Sequence, residues 1–173
     1  RIISTIENRS PNAILQKLED NTAHVSPFLA AEAAVLKGDQ LLLIKRHDNG
    51  LWAMPGGLVD VGESWAEAAE RELREETQIE GRATTLMGVF DSRIWKTKKN
   101  VQLYHAVFLI HSDEPTPVIT SEANEVGFFS ANQLPPLSPG HHLRVPVVFQ
   151  LYRGEKTIPF FDQSAELPKA PKT

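Results

Sequence analysis

The stretch Gly56–Ile79 reads GGLVDVGESWAEAAERELREETQI and decides how this chain folds. A Gly-Gly turn leads into an alanine-rich pattern in which Glu72, Glu75 and Glu76 are spaced i, i+3 and i+4. At about 100° per residue the three carboxylates fall on one strip of a helix, where like charges repel unless a cation neutralises them. Clustered carboxylates suit hard divalent cations, so the strip indicates either a metal site or an exposed acidic helix face.

The same stretch contains the signals that bound the helix. Ser64 is a good N-cap, and Glu67 three residues later completes a capping box, so the helix is predicted from Ser64 to Thr77. The flank predicted to pack against a sheet consists of Ala66, Ala69 and Leu73. A strip to one side of it, predicted to face solvent, consists of Glu67, Glu70 and Arg74. The acidic strip lies to the other side, at the edge of the packed flank, which favours the metal site over a solvated face.

The stretch resembles the signature of the Nudix hydrolases nearly residue for residue. Gly57, five residues, Glu63, seven residues and then Arg71-Glu72-Leu73-x-Glu75-Glu76 match it. The departure is Gln78, where the family has a glycine that ends the helix in a left-handed conformation. Gln adopts that conformation at a cost of about 1 kcal/mol. Gly81, three residues later, is an alternative place for the helix to stop.

The resemblance implies a metal site on the acidic strip. The implied ligands are the carboxylates of Glu72, Glu75 and Glu76 and the backbone carbonyl of Gly56. The expected ion is Mg²⁺, with Mn²⁺ as an alternative, because such ions take oxygen ligands and lower the pKa of a bound water.

The resemblance also implies catalytic roles around that site. Arg71 is implied to steady the glutamates, and its i, i+4 spacing to Glu75 permits a direct ion pair. Glu63 is implied to support the metal site indirectly. The general base of the family is either a helix glutamate such as Glu76 or a carboxylate on a loop before a late strand. Glu122 and Glu125 are the loop candidates, and Glu122 is preferred because Glu125 lies nearer the strand.

Residues that would contact substrate are less sharply defined. Arg46, near the Gly-Gly turn, is a candidate phosphate ligand or a solvated arginine. Trp95 and Lys96 lie in a polar loop with further lysines, where the indole would stack on a base and the lysine touch phosphate. The alternative is an exposed basic loop around a partly buried tryptophan. His105 is predicted to be a core histidine, and the pair His141-His142 is predicted to lie on the surface.

Composition limits the classes of function. The chain has 173 residues, a formal net charge of −4 and no cysteine, which excludes disulfides, thiolate metal sites and cysteine nucleophiles. The mild charge makes nucleic acid an unlikely partner, although a lysine cluster at 96–99 keeps an RNA-end hydrolase among the alternatives. No apolar run is long enough to span a membrane, and the first residues lack a secretory layout, so a cytoplasmic location is predicted.

The chain is predicted to be α/β, and the resemblance implies the Nudix α/β/α sandwich, a mixed β-sheet with the catalytic helix after the Gly-Gly turn. Strands are predicted at residues 27–36, 40–45, 52–54, 82–90, 101–111 and 126–129. A second helix is expected over His141–Tyr152, broken or started near Pro146. The predicted parts are an N-terminal helical extension at residues 1–25, a Nudix domain at 26–162 and a mobile tail at 163–173. The extension is predicted to be a helix that docks on its own domain, with a homodimer contact as the alternative.

Segments outside the motif resemble the Nudix branch that hydrolyses nucleoside diphosphates linked to another group, such as ADP-ribose or CDP-choline. They are GVFDSRIW at residues 88–95 and EANEVGFF at residues 122–129. The implied substrate is a small-molecule nucleotide, cleaved into a nucleoside monophosphate and a phosphorylated remainder. The alternatives are a Nudix hydrolase of nucleoside triphosphates or dinucleoside polyphosphates, and a Nudix-type ligand-sensing module without catalysis.

Overall fold

The structure is a computed structural model that describes residues 26–95, 102–113, 115–121 and 123–163. Two helices are present in this part of the chain, α1 (Trp65–Thr77) and α2 (His141–Tyr152). The strands are β1 (Phe28–Lys37), β2 (Gln40–Arg46), β3 (Trp52–Ala53), β4 (Gly56–Leu58), β5 (Arg82–Asp91), β6 (Leu103–His111), β7 (Ala123–Ser130) and β8 (Phe160–Phe161). The predicted N-terminal extension and almost all of the predicted tail lie outside the described residues.

The strands form a mixed sheet with β1 at its centre. β1 runs parallel to β6 over eight residue pairs, from Phe28↔Leu103 to Val35↔Ile110, and antiparallel to β4. Beyond β6 the order continues through β5 to β8, while the far end of β1 turns into β2, which carries β3 and β7. Because β1 and β6 are parallel, residues distant in sequence lie side by side in the middle of the sheet.

Helices cover both faces of the sheet, and each face has its own hydrophobic core. Ala31, Ala33 and Val35 of β1 pack in the cluster that contains Ala68, Ala69 and Leu73 of α1. Ala34, on the opposite face of β1, packs in the cluster that contains Val145, Val148 and Phe149 of α2. This alternation is the period-2 pattern of a strand buried on both sides. The predicted α/β/α sandwich is confirmed.

Both ends of α1 follow from local chemistry. The Ser64 side chain accepts a hydrogen bond from the Glu67 N–H, and the Glu67 carboxylate accepts one from the Ser64 N–H, so the predicted capping box is present. At the other end Gln78 itself takes the left-handed conformation, with φ 58° and ψ 15°, and its N–H donates to the Arg74 carbonyl. Gly81 does not end the helix; it packs between the side chains of Leu73 and Ile110.

Several predicted details differ from the structure. The Gly-Gly turn is itself a short strand, β4, hydrogen-bonded to β1. α2 runs unbroken through Pro146. Glu70, predicted to face solvent, is only 21% exposed because its carboxylate accepts a hydrogen bond from the Ala83 N–H at the start of β5. On the packed flank Ala68 is fully buried while Ala66 is only partly so. No helix within the described residues is long and apolar enough to cross a membrane.

Candidate active site

Arg71 is the cationic centre of the acidic strip. Its Nε and Nη2 donate to the two carboxylate oxygens of Glu63, at 3.0 and 2.7 Å. Its Nη1 donates to Glu72 at 2.8 Å and to Glu75 at 3.1 Å. The hydrogen bonds to Glu63, above all, raise the pKa of Arg71, and the same bonds lower the pKa of Glu63. The spacing Glu63, Arg71, Glu72, Glu75 therefore places one guanidinium among three carboxylates, and the predicted Arg71–Glu75 pair is present.

The Gly-Gly turn brings the backbone of β4 against the C-terminal half of this strip. The N–H of Gly56 donates to Glu76 Oε2 at 2.9 Å. A Cβ on Gly57 would lie 2.3 Å from Glu72 Oε1, so no residue with a side chain fits there while that carboxylate keeps its place. The need for glycine at position 57 thus comes from close approach of a carboxylate to the backbone.

The strip has the donors that a divalent cation requires. Glu72, Glu75 and Glu76 supply carboxylate oxygens on one side of α1, and the cradle at Gly57 holds Glu72 near the β4 backbone. Within the described residues no three His, Asp or Glu side chains are grouped closely enough to hold an ion, and Arg71 Nη1 donates to both Glu72 and Glu75. The residues present fit a hard divalent cation that shares these carboxylates with Arg71.

A cavity of about 540 Å³ lies beside the strip. One part of its wall is Gly56, Gly57 and Glu76; another is the loop after β2, from Arg46 to Asn49. Arg46 Nε and Nη2 donate to the Asp48 carboxylate at 2.9 and 2.8 Å, and these bonds raise the pKa of Arg46. The structure therefore brings Arg46, predicted as a phosphate ligand, to the same cavity as Glu76 and Gly56.

The cavity also reaches four buried polar side chains, contributed by β1, β6 and α2. They are Glu32, His105, His141 and Arg144, exposed by 4, 7, 7 and 0%. Burial acts to raise the pKa of Glu32, but Arg144, with His141 and His105, outweighs it and holds that pKa well below its usual range. Burial, reinforced by Arg144, lowers the pKa of His141 to about 3, so that imidazole is neutral at pH 7.

The motif does not point to these four residues, and His141, predicted to lie on the surface, is buried. His105 is buried as predicted, but it contacts Glu32 and lines the cavity. One signal was present in the sequence: Glu32 interrupts the otherwise apolar run of β1, FLAAEAAVL, where an isolated carboxylate must find a buried cation. Arg144, within the apolar pattern of α2, is that cation.

Trp95 does not line this cavity. Its indole packs edge-on against Phe90 and Phe160, and its Nε1 donates to the carboxylate oxygens of Asp162 at 2.7 and 2.9 Å. The ring thus holds the loop after β5 against the segment around β8. That placement favours the partly buried tryptophan over the base-stacking role.

Of the predicted loop carboxylates and the predicted lysine, the structure describes only Glu125. Glu125 lies within β7, not in the loop before it, and forms an ion pair with Lys45 at 2.6 Å on an exposed surface away from the cavity lining. Glu122, the preferred general base, and Lys96 fall outside the described residues and remain predictions.

Comparison with known proteins agrees with the fold and the motif. Residues 27–151 match the NUDIX domain family. An ADP-ribose pyrophosphatase of Methanocaldococcus jannaschii is 33% identical over 121 residues, which is 68% of this chain and 70% of that protein. The crystal structure of an ADP-ribose pyrophosphatase from Streptococcus suis superposes with a TM-score of 0.66 at 26% identity and covers 79% of this chain and all of that one.

A crystal structure of a UDP-X diphosphatase has the same fold, with a TM-score of 0.73 at 24% identity, covering 89% of this chain and 76% of that chain. The family match spans β1 to β7, α1 with the whole acidic strip, and all but the last residue of α2; β8 lies beyond it. The chain therefore belongs to the Nudix hydrolase family and is a pyrophosphohydrolase.

Proposed function

We propose that this chain hydrolyses the pyrophosphate bond of a nucleoside diphosphate linked to another group, of the ADP-ribose or CDP-choline kind, with Mg²⁺ or Mn²⁺. The observation that carries the proposal is the cavity with Gly56, Gly57 and Glu76 on one wall and Arg46 on another. Its volume of about 540 Å³ is in the range that encloses a nucleotide-sized ligand. The relatives named as ADP-ribose pyrophosphatases support this substrate class.

The residues divide the work by charge. A divalent cation held by Glu72, Glu75 and Glu76 would neutralise the charge of the pyrophosphate and lower the pKa of a bound water, which supplies a hydroxide nucleophile at neutral pH. Arg71 orients Glu72 and Glu75 through its Nη1. Arg46 would balance phosphate charge from across the cavity, because a guanidinium matches phosphate oxygens in two-pronged hydrogen bonds. Attack at one phosphorus then releases a nucleoside monophosphate and a phosphorylated remainder.

We keep Glu122 as the candidate general base, with Glu76 as the alternative. The described residues on both sides of Glu122 contact the cavity wall: the Thr120 hydroxyl donates to the Glu76 carbonyl at 3.2 Å, and Ala123 pairs with Arg46. Glu125 is a weaker candidate because its carboxylate is engaged by Lys45.

The decisive experiment measures initial rates on a substrate panel with Mg²⁺ present and absent. The panel consists of ADP-ribose, CDP-choline, NADH, diadenosine polyphosphates and dNTPs. The Glu76→Gln variant should lose about 100-fold or more in kcat, as expected when a charged group at the reaction centre is removed. Glu80→Gln is the matched control, since Glu80 is an exposed glutamate just beyond α1. Cleavage of dNTPs alone would contradict the substrate class, and unchanged turnover of Glu76→Gln would contradict the assigned site.

A further inference from the structure

The cavity contains a group of polar side chains for which the proposed hydrolysis has no use. Glu32, His105 and His141 line it, and each is more than nine-tenths buried. They face the side of the sheet covered by α2, since Glu32 alternates along β1 with the residues that pack on α1. Burying a carboxylate and two imidazoles together is unfavourable unless their hydrogen bonds are made, so the group requires an explanation.

Only one oxygen of the Glu32 carboxylate is engaged. Its Oε1 lies 2.5 Å from Arg144 Nη2, 2.9 Å from His105 Nδ1 and 3.5 Å from His141 Nε2. Its Oε2 has no hydrogen-bond partner among the described residues, and neither has His105 Nε2; His105 Nδ1 lies close to Oε1 but makes no hydrogen bond in the present ring orientation. If Glu32 only stabilised the fold through an ion pair, its contact with Arg144 would be sufficient, and the two histidines would not be needed. Both side chains line the cavity, so the unengaged atoms lie in its wall; the atoms themselves have almost no open surface, and a ligand reaches them when the side chains turn toward the cavity.

The chemistry of these atoms selects what they bind. An ionised carboxylate only accepts hydrogen bonds. If His105 directs its Nδ1–H at Glu32, its Nε2 is an acceptor as well. Two buried acceptors side by side repel phosphate and attract a group with several donors. The hydroxyl groups of a sugar are such donors, and an acidic residue that binds ribose hydroxyls is a recurrent arrangement in nucleotide sites.

The position of Glu32 indicates that the group bound beside it is a sugar and not a nucleobase. Glu32 pairs with Gly56 across β1 and β4, and a Cβ on Gly56 would lie 2.9 Å from Glu32 Cγ. The carboxylate thus adjoins the turn whose N–H holds Glu76. A group bound beside that turn is one ester bond from the pyrophosphate, and in a nucleoside diphosphate derivative that group is the sugar.

We propose that Glu32 and His105 form a sugar subsite, in which Glu32 Oε2 and His105 Nε2 accept hydrogen bonds from hydroxyl groups of a sugar attached to the pyrophosphate. Arg144 is a positioning residue that fixes the carboxylate through Oε1. The inference rests on the proposed function, because it takes the pyrophosphate to lie beside Gly56 and Glu76. It adds that the enzyme selects its substrate partly by sugar hydroxyls, on one side of the scissile bond.

The test measures binding of reaction products, which hydrolysis does not consume. Dissociation constants are determined by titration calorimetry with Mg²⁺ for two matched pairs. AMP against 2′,3′-dideoxyadenosine monophosphate probes the nucleoside sugar, and ribose 5-phosphate against tetrahydrofurfuryl phosphate probes the sugar on the other side. In one pair the compound with hydroxyls should bind about 10- to 100-fold more tightly, as hydrogen bonds to a charged acceptor require. Equal binding within both pairs overturns the proposal.

Variants then connect the preference to the residues. Glu32→Gln keeps an oxygen for Arg144, and His105→Phe keeps the ring shape; each should reduce the preference at least threefold. His142→Gln is the matched control, since this histidine at the start of α2 is exposed and does not line the cavity, and it should keep the wild-type preference. If Glu32→Gln does not fold, the comparison of the preference between the wild type and His105→Phe still tests the proposal. A preference unchanged in the variants that fold overturns the proposal, whereas a failure of the proposed function appears separately, as a lack of ADP-ribose turnover.

Discussion

Replacing Gln78 by glycine should stabilise the protein. Gln78 is the one non-glycine residue with positive φ in the described part of the chain, and at φ 58° its Cβ is crowded against the backbone. Relief of that conformation is worth about 1–2 kcal/mol. Glycine also gives the unfolded chain more freedom, which removes about 0.4–1 kcal/mol. The hydrogen bond from the residue 78 N–H to the Arg74 carbonyl is kept, so the net gain lies between about 0 and 1.6 kcal/mol, with a middle value of about 0.8 kcal/mol.

Calorimetric melting of the metal-free protein measures this gain as a rise in Tm of about 2–3 °C for a domain of this size. Gln78→Ala is the matched control. Alanine loses the long side chain but keeps the Cβ, so its Tm should stay close to that of the wild type. Turnover should be preserved in both variants, because the side chain of residue 78 is exposed and the backbone there keeps its hydrogen bond to the Arg74 carbonyl. Equal Tm values for the glycine and alanine variants would refute the reasoning, since the stabilisation would then not come from the left-handed conformation.

Three further predictions concern the site. Gly57→Ala should raise the Mg²⁺ concentration for half-maximal rate about tenfold or more, seen in a Mg²⁺ titration, because the new Cβ displaces the Glu72 carboxylate. His141→Phe should flatten the fall in unfolding free energy between pH 7 and pH 5 in urea denaturation. In the folded wild type the pKa of this imidazole is lowered to about 3, so it stays neutral between pH 7 and pH 5, whereas in the unfolded chain it binds a proton below about pH 6.5. Acid therefore lowers the unfolding free energy by up to about 1.4 kcal/mol per pH unit. Trp95→Phe should lower stability by about 1–2 kcal/mol through the lost bond to Asp162 and leave KM unchanged; a tenfold rise in KM would place the indole in the substrate site.

The parts of the fold that the sequence predicts are those set by local chemistry. The capping box at Ser64 and the helical spacing up to Thr77 depend on residues within a few positions of one another. The same is true of the acidic strip, since i, i+3 and i+4 carboxylates share a side of any helix. The motif therefore predicts α1 and its contacts with Arg71, including the pair with Glu75.

The wall of the cavity that contains the proposed sugar subsite is not predictable in this way. Glu32, His105 and Arg144 come from two strands and a helix, separated by up to 112 residues. They meet because β1 and β6 pair in parallel and place Ala30 beside His105, and because α2 returns across that face of the sheet. Each residue has an unremarkable sequence context, and only Glu32, alone in an apolar strand, indicates a buried partner.

The predicted start of β7 is wrong for a similar reason, because it depends on contacts between residues distant in sequence. β7 begins at Ala123, three residues before the predicted strand, because Glu125 and Asn124 are held by β2. Lys45 neutralises Glu125, and the Asn124 side chain donates to the Arg46 carbonyl. Polar residues at a strand edge read as a loop until the partner strand is known, so pairing overrides local propensity here.

The way in which Arg71 divides its hydrogen bonds explains how a cationic centre and a metal site can share one strip. Nε and Nη2 are committed to Glu63, whereas Nη1 alone serves Glu72 and Glu75. If Glu72 and Glu75 turned to hold a divalent cation, only the contacts of Nη1 would be lost, and the guanidinium would keep its two-pronged bond to Glu63. Glu63 would thus support the proposed metal site without touching the metal, because its bonds to Nε and Nη2 keep Arg71 from leaving the strip or following the carboxylates. The seven residues between Glu63 and Arg71, which hold the capped first turn of α1, set the distance that this two-pronged bond requires.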